Sequence, residues 1–473
     1  MSGTFEKIKN SIAVNILKSI LSSKYFPFAG AAVMVLCYYL SWDIVAIYYI
    51  GITGALTLLL LDDVTPVISN FLFICVFSSL KNTPFLLAGG GSDYYFKPEI
   101  LGQIIFIAVL FISSAIYRFV LTCIKRQFKV TPMFTGMCAL CAVLLLNGVF
   151  AKNYDIKNLV FGGLISVCLL SVYIIFKDSL KLTEKSFENI AFAFIALSAV
   201  LIIELFVIYV TKKDIFINGK INRAAIIFGW GVYNTYGLYI VMCITAATYL
   251  AAKKKFGFGF TVYSLLILAA AVLCCSRQAM LGAAVIYPLC IIIMLVKGKN
   301  RLANLIVVGA AAVAGIILAC VFSKHIYSFI KEIMANIVVN GTLNGSGRWS
   351  IWQEALYYFE SSPVFGAGFF VKFEHWKDTG NGILPHLCHN TVLQIMCSCG
   401  VLGIVVYAVH RVQTAVCFFK NVNPERTFIA IAVLGMLLLS LLDTHIFNIL
   451  PTILYSFFMA VLDKSQKKVT VQN

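Results

Sequence analysis

The stretch from Ile190 to Val210 holds a single charged residue, Glu204. Apolar runs of this kind, many reaching the roughly 18 residues needed to cross a bilayer, recur along the whole chain. No other feature limits its folding so strongly. In hydrocarbon a backbone must satisfy its own hydrogen bonds, so such runs are read as helices. They fall near Tyr25–Leu40, Ile44–Leu61, Thr65–Leu80, Ile100–Ile124, Met133–Phe150, Leu159–Phe176, Ile190–Val210, Ala224–Leu250, Phe258–Cys275, Ala279–Val296 and Leu302–Phe322. After a long polar loop come Thr391–His410, Thr427–Leu442 and Phe447–Leu462. Composition agrees: charged residues make up 12%, against about 25% in soluble proteins. The expectation is an all-α polytopic integral membrane protein with about 12–14 transmembrane helices and one large extracytoplasmic loop carrying short helices.

The net charge of +17 does not point to nucleic acid. Basic residues lie in short clusters between apolar runs, and no segment is long enough to track a phosphate backbone. With the N-terminus placed in the cytoplasm, alternate connections become basic. These hold Lys125, Arg126 and Lys129; Lys177, Lys181 and Lys185; Lys253 to Lys255; Lys297, Lys299 and Arg301; Arg411, Lys420 and Arg426; and Lys464, Lys467 and Lys468. The positive-inside rule then sets both termini in the cytoplasm. The layout is a cytoplasmic lead-in over 1–24, a bundle over 25–322, an outer loop over 323–386, the last helices over 387–462 and a tail over 463–473. The lead-in, with Glu6, Lys7, Lys9 and Lys18 among scattered Ile, Val and Leu, reads as amphipathic and not as a cleaved signal.

The cysteines, fifteen in all, lie almost entirely inside expected spans. Cys138 and Cys141 form a C-x-x-C without a second pair, which fits packing better than zinc. Cys388 and Cys417 fall in expected loops on opposite sides of the membrane, so no disulfide framework is expected.

The outer loop is where the sequence invests in soluble structure. Asn340 to Gly347 is turn-rich. Ser350-Ile-Trp-Gln353 fits a capping box, and Trp352, Ala355, Leu356 and Phe359 follow at helical spacing. With Trp349, Tyr357 and Tyr358 nearby, this short helix is expected at the membrane interface. Pro363 ends it, and Gly366 and Gly368 imply a tight turn.

Several residues carry possible chemistry. His389 and Asn390 open the run Thr391–His410 at the base of the outer loop. On an uninterrupted helix Gly400 and Gly403 would lie beneath His389 on one face, where a neighbouring helix approaches closely. An imidazole there can take a proton from a hydroxyl group; the plain alternative is a histidine that only ends a helix. Arg277 occupies a very short outer turn, Cys275 to Gln278, where the charge bias disfavours arginine and an anionic partner would explain it; snorkelling is the alternative. Arg348, just before the loop helix, opposes the macrodipole unless it reaches for something negative, and a guanidinium suits phosphate oxygens. Glu204 is a carboxylate inside a span, functional or hydrogen-bonded. Asp443, Thr444 and His445 form a short outer turn that can face the same cavity. No nucleotide or dinucleotide motif, cofactor motif or carboxylate cluster for a metal is found.

His389-Asn390, nine residues, Gly400, two residues, Gly403 resembles the H-[N/S/Q]-x9-G-x-x-G signature of the bacterial O-antigen ligase and polymerase family. Gly347 to Leu356 followed by Ser362 to Gly368 resembles its loop segment R-x-x-x-W…P-x-x-G-x-G, and Cys275-Ser276-Arg277 resembles its S-R turn. The resemblance is specific from Ser276 to Gly403 and rests on hydropathy before about residue 250. It implies a membrane glycosyltransferase that moves a glycan from undecaprenyl diphosphate to an acceptor on the outer face of the cytoplasmic membrane. Ligases use the lipid A core, polymerases another lipid-linked unit, and some relatives glycosylate proteins. It also implies that His389 activates the acceptor and that Arg277 and Arg348 hold the diphosphate without metal. The competing expectation is a flippase for lipid-linked sugars, which needs a cationic cavity but no long outer loop.

Overall fold

The computed structural model describes residues 11–80, 98–125, 130–152, 154–217, 233–324, 348–373 and 387–464 apart from 421, with short pieces between them. Among these residues the fold is all-α, and every expected span coincides with a helix. In chain order they are α1 (Ile12–Leu21), α2 (Phe26–Tyr39), α3 (Asp43–Leu60), α4 (Ile68–Leu80), α5 (Pro98–Lys125), α6 (Pro132–Phe150), α7 (Ile156–Ser179) and α8 (Glu184–Thr211). Then come α9 (Tyr233–Lys253), α10 (Phe258–Leu273), α11 (Arg277–Lys297), α12 (Arg301–Val321), α13 (Arg348–Ser361), α14 (Thr391–Phe419), α15 (Pro424–Ser440) and α16 (Ile449–Lys464). The only strands described are two antiparallel pairs of two-residue strands, at Phe216–Ile217 with Lys220–Ile221 and at Val338–Val339 with Thr342–Leu343.

Nine of the described helices are long and apolar enough to cross a membrane, or ten if the bent pair α1–α2 counts as one span. The shorter expected spans are helices too, but α4 has 13 residues and α10 has 16. Two boundaries move. The span expected from Ala224 begins as helix only at Tyr233. The span expected to end at His410 continues to Phe419, which carries Arg411 and Cys417 into α14; Cys417 is buried there, not in a loop. Helix starts follow local capping chemistry. Ser276, Asn390 and Asn423 accept amide hydrogens of the first turns of α11, α14 and α15, which leaves fewer orphan donors in an apolar setting.

The centre of the bundle is α9. Its most apolar window is 89% buried inside the protein, against 6% for α12 at the periphery. Around α9 pack α8, α10, α11 and α15; α14 packs on α6 and α13, and α16 on α7. At the amino-terminal end, α1 meets α2 at 83° and leaves Ile12, Ile16 and Ile20 exposed. That spacing is one helical face, as an interfacial helix requires.

The connections segregate to two ends, as alternating spans require. At one end Lys181 pairs with Asp62, Lys253 with Glu184 and Glu425, and Lys177 with the buried Asp463. At the other end Lys152 N–H donates to Gly366 O, Arg348 reaches Leu442 O, and His389 meets Asp443.

Residues 348–373 are docked on that second end. Asn158 Oδ1 accepts the amides of Phe369 and Phe370 at 2.6 and 3.0 Å. The Phe369 ring packs between Phe161 and Phe447. A small core of its own, Ile351, Ala355, Ala367, Val371, Phe373, Cys388 and Cys397, fills the space between α13 and the start of α14. The inward stripe of α13 is therefore Ile351 and Ala355, while Trp349, Leu356 and Tyr357 are exposed. The helix begins at Arg348 and not at Ser350, so the capping-box reading is displaced and Arg348 is its first residue.

Candidate functional site

The structure brings four separate chain segments to the turn Asp443-Thr444-His445, which joins α15 to α16. His389 Nδ1 lies 3.0 Å from Asp443 Oδ1, and the two side chains are 24% and 12% exposed. Thr444 N–H donates to the same oxygen at 2.8 Å. Asp443 Oδ2 accepts from Asn234 Nδ2, at the start of α9, at 3.1 Å. Thr391 Oγ1 donates to the Asp443 carbonyl, and Arg348 Nη1 to the Leu442 carbonyl at 2.6 Å. Arg277 itself is half-buried at the first position of α11, between two residues tied to this network. Ser276 Oγ donates to Asn234 Oδ1 at 3.1 Å, and Gln278 Nε2 donates to Asn234 O at 2.9 Å.

These contacts fix protonation. Burial alone would raise the Asp443 carboxyl, but the His389 hydrogen bond, His445 and the Thr444 amide outweigh it. The carboxyl is held well below the usual carboxylate range. An ionised carboxylate only accepts, so His389 Nδ1 carries a proton, and a neutral ring then has its lone pair on Nε2. The second histidine is set by the same logic. Gln278 Nε2 faces a backbone carbonyl and must be the amide nitrogen, so it also donates across 3.1 Å to His445 Nε2. Neutral His445 then bears its proton on Nδ1. Burial lowers its proton affinity against the pull of Asp443, and Arg348 and His389 add to the lowering.

Local backbone geometry explains why the His-Asn pair precedes α14. His389 has φ +53 and stands outside the helix. Asn390 is the cap: its Oδ1 accepts the Val392 and Leu393 amides at 2.9 and 3.1 Å. Trp352 Nε1 donates to Cys388 O at 2.9 Å, and Cys388 N–H donates to Gln394 Oε1 at 2.8 Å. The turn bearing His389 is thus held from α13 and from α14.

The glycines of the motif act differently from the sequence expectation. Helix α14 is broken at Gly400, which has φ 65 and ψ −160. Where the regular ladder fails, residues 363–367 replace it. Val401 N–H donates to Pro363 O at 2.7 Å, and Ala367 N–H donates to Cys397 O at 2.8 Å. A Cβ on Gly400 would stand 2.4 Å from Val364 O, and one on Gly366 2.3 Å from the Ser398 backbone. Gly403 is crowded by Cys399 and Ile395 of its own helix. The uninterrupted glycine face against a neighbouring helix is therefore corrected: the break lets the P-x-x-G-x-G segment cross the helix backbone.

Glu204 is not brought to the cluster. It accepts a hydrogen bond from Ser79 of α4. His325, His375 and His386 lie outside the described residues, as do most of Asn340 to Gly347. Asn234 and Gln278 were not read as functional from sequence. Asn234 opens an otherwise apolar span, and a polar side chain at that position is the signal that points to it.

Apolar helices surrounding a charged, hydrogen-bonded cluster at one end define an integral membrane protein with a candidate site at that end. Residues 262–408 match the family model described as O-antigen ligase, a match that supports the O-antigen ligase and polymerase family and an O-antigen ligase-type membrane glycosyltransferase. The matched span includes Arg277, Arg348, His389, Gly400 and Gly403. Comparison with curated proteins gives no match.

Proposed function

We propose that this protein transfers a glycan from undecaprenyl diphosphate to a hydroxyl of an acceptor glycan at the outer face of the bacterial cytoplasmic membrane. The observation that carries this reading is the His389–Asp443 pair, with Arg348 anchored on the same turn and Arg277 one residue from its hydrogen-bond network. The acceptor oxygen attacks the anomeric carbon, the bond from that carbon to the diphosphate breaks, and undecaprenyl diphosphate leaves with the electron pair. His389 Nε2 takes the hydroxyl proton, and Asp443 stabilises the imidazolium that forms. One displacement inverts the anomeric centre. Arg277 and Arg348 hold the diphosphate and offset the charge that develops on it, the part a metal takes in other phosphate chemistry. Asn390 caps the helix that follows His389, and Gly400, with Gly403 below it, lies where residues 363–368 cross that helix. Both termini lie on the cytoplasmic side, because the basic connections share the end opposite the site.

The acceptor is read as a second lipid-linked repeat unit, making the protein a polymerase, with ligation to a lipid A core as the other arm. A deletion strain complemented with the wild-type gene discriminates: a ladder of repeat units on undecaprenyl diphosphate marks polymerase, and glycan on lipid A marks ligase. His389→Ala and Arg277→Ala are expected to abolish transfer while leaving membrane insertion intact. Full in vitro transfer by an inserted His389→Ala protein would refute the mechanism. Loss of activity in chelator, restored by magnesium or manganese, would refute metal independence. A flippase would instead move labelled lipid across a reconstituted bilayer without making a glycosidic bond.

A further inference from the structure

Asn234 stands outside the matched span, at the opening of the central helix α9, and its side chain is used at both ends. Nδ2 donates to Asp443 Oδ2 and Oδ1 accepts from the Ser276 hydroxyl, each at 3.1 Å. The orientation is forced, because the carboxylate can only accept and the atom facing it must be the amide nitrogen. Ser276 places its one O–H on Asn234 and uses its oxygen to cap α11 through the Ala279 amide at 3.4 Å. The Asn234 carbonyl takes the Gln278 side chain. One turn further on, Gly237 leaves no room for a side chain: a Cβ there would stand 2.5 Å from the Ala279 Cβ. The starts of α9 and α11 are therefore closely packed, which brings Asn234 within reach of Ser276.

Asp443 needs such a partner. Rotation of a carboxylate about its last torsion is soft and broadly two-fold. His389 and the Thr444 amide both bind Oδ1; Asn234 supplies the hydrogen bond to Oδ2. We propose that Asn234 is a positioning residue for glycan transfer. Through Asp443 Oδ2 it holds the carboxylate plane that keeps the proton on His389 Nδ1, and through Ser276 it sets the turn bearing Arg277 against that histidine. The inference rests on the reading of His389 as the base and adds a residue that touches neither substrate.

The test uses the full-length protein in nanodiscs, with the undecaprenyl-diphosphate-linked glycan extracted from cells that make it as the substrate. Asn234→Asp keeps the shape but removes the donor; Asn234→Leu removes both hydrogen bonds at similar volume. Each is expected to lower kcat roughly tenfold to hundredfold, the effect of losing one hydrogen bond to a charged group. KM for the lipid-linked donor should change less than kcat. Nitrogen-15 histidine spectra, with His389 assigned by its loss in His389→Gln, should show the Nδ1–H tautomer in the wild type and both tautomers in Asn234→Leu. A merely structural asparagine would not move that signature. An active His389→Gln protein would overturn the underlying reading. An inactive one, beside Asn234 variants with wild-type kcat and tautomer, would overturn this inference alone. Should the Asn234 variants not yield monodisperse protein, Ser276→Ala decides: a tautomer mixture supports the positioning role, and an unchanged spectrum with unchanged kcat refutes it.

Discussion

Gly400→Ala is the substitution whose consequence the structure fixes most narrowly. At φ 65 and ψ −160 the residue occupies backbone space reserved for glycine, and an alanine there costs about 1–3 kcal/mol in strain. The added methyl would meet Val364 O at 2.4 Å and Pro363 O at 2.6 Å. Those carbonyls must withdraw, and Pro363 O is the acceptor for Val401 N–H at 2.7 Å while Val364 O is the acceptor for Leu402 N–H at 3.4 Å. Losing one or two backbone hydrogen bonds adds about 1 kcal/mol each. The sum is a local penalty of about 2–5 kcal/mol, borne by the seam between α14 and residues 363–368 and not by the bundle as a whole. Hydrogen–deuterium exchange reads this directly. The amides of Val401, Ala367 and Gly368 should exchange roughly thirtyfold or more faster, since each 1.4 kcal/mol is about a factor of ten. Amides of α9 should be unchanged. Transfer should fall with the seam, because Ala367 of that segment shares a small core with Cys388, the neighbour of His389. Unchanged exchange at 363–368 and 401 in Gly400→Ala would refute the reasoning.

Four further outcomes are expected. Asp443→Asn keeps the shape but no longer imposes the His389 tautomer, and should lower kcat by roughly 10²-fold or more without loss of insertion. The pH dependence of stability has a definite sign: the folded carboxyl lies below its unfolded value. Its contribution is therefore present above the unfolded carboxylate range near about 4 and is lost as pH falls through the folded value. The wild-type thermal midpoint should drop more steeply than that of Asp443→Asn on acidification below about pH 4. Trp352→Phe removes the hydrogen bond to Cys388 O and should cost about 1 kcal/mol locally, read as faster exchange around residues 388–394 with a several-fold loss of kcat. Glu204→Gln, whose bond is to Ser79 of α4, should keep transfer within a few-fold of wild type when measured on correctly inserted protein.

How much of this was legible beforehand differs by level. Bilayer-crossing helices were, because hydrocarbon permits little else and the apolar runs are long. Boundaries were less so: α14 runs on past His410 because Arg411 and Tyr455 bond inside the bundle, which hydropathy reads as a loop. His389, Arg277 and Arg348 were legible as charged or titratable groups out of place. Their meeting point was only partly so, since Asp443 pairs with His389 across two helices and fifty-four positions. Asn234 left a weak signal, a polar side chain at the opening of an apolar span, but nothing local distinguishes a polar helix start from a working one. The role of Gly400 was misread because a period of 3.6 assumes an unbroken helix, and the break exists only in the company of residues 363–368.

The burial of α9 bears on how the chain is assembled. Of the nine long apolar helices it has the lowest hydropathy, 1.4, and the most buried window. A segment of that kind gains least from lipid on its own and relies on contacts with other helices. Of its neighbours, α8 is made before it, but α10, α11 and α15 follow it during synthesis. The central helix must therefore wait, sheltered at the insertion machinery or only loosely seated, until the carboxy-terminal half arrives. Truncations after α14 should leave α9 prone to slip out of the membrane, although its own sequence is intact.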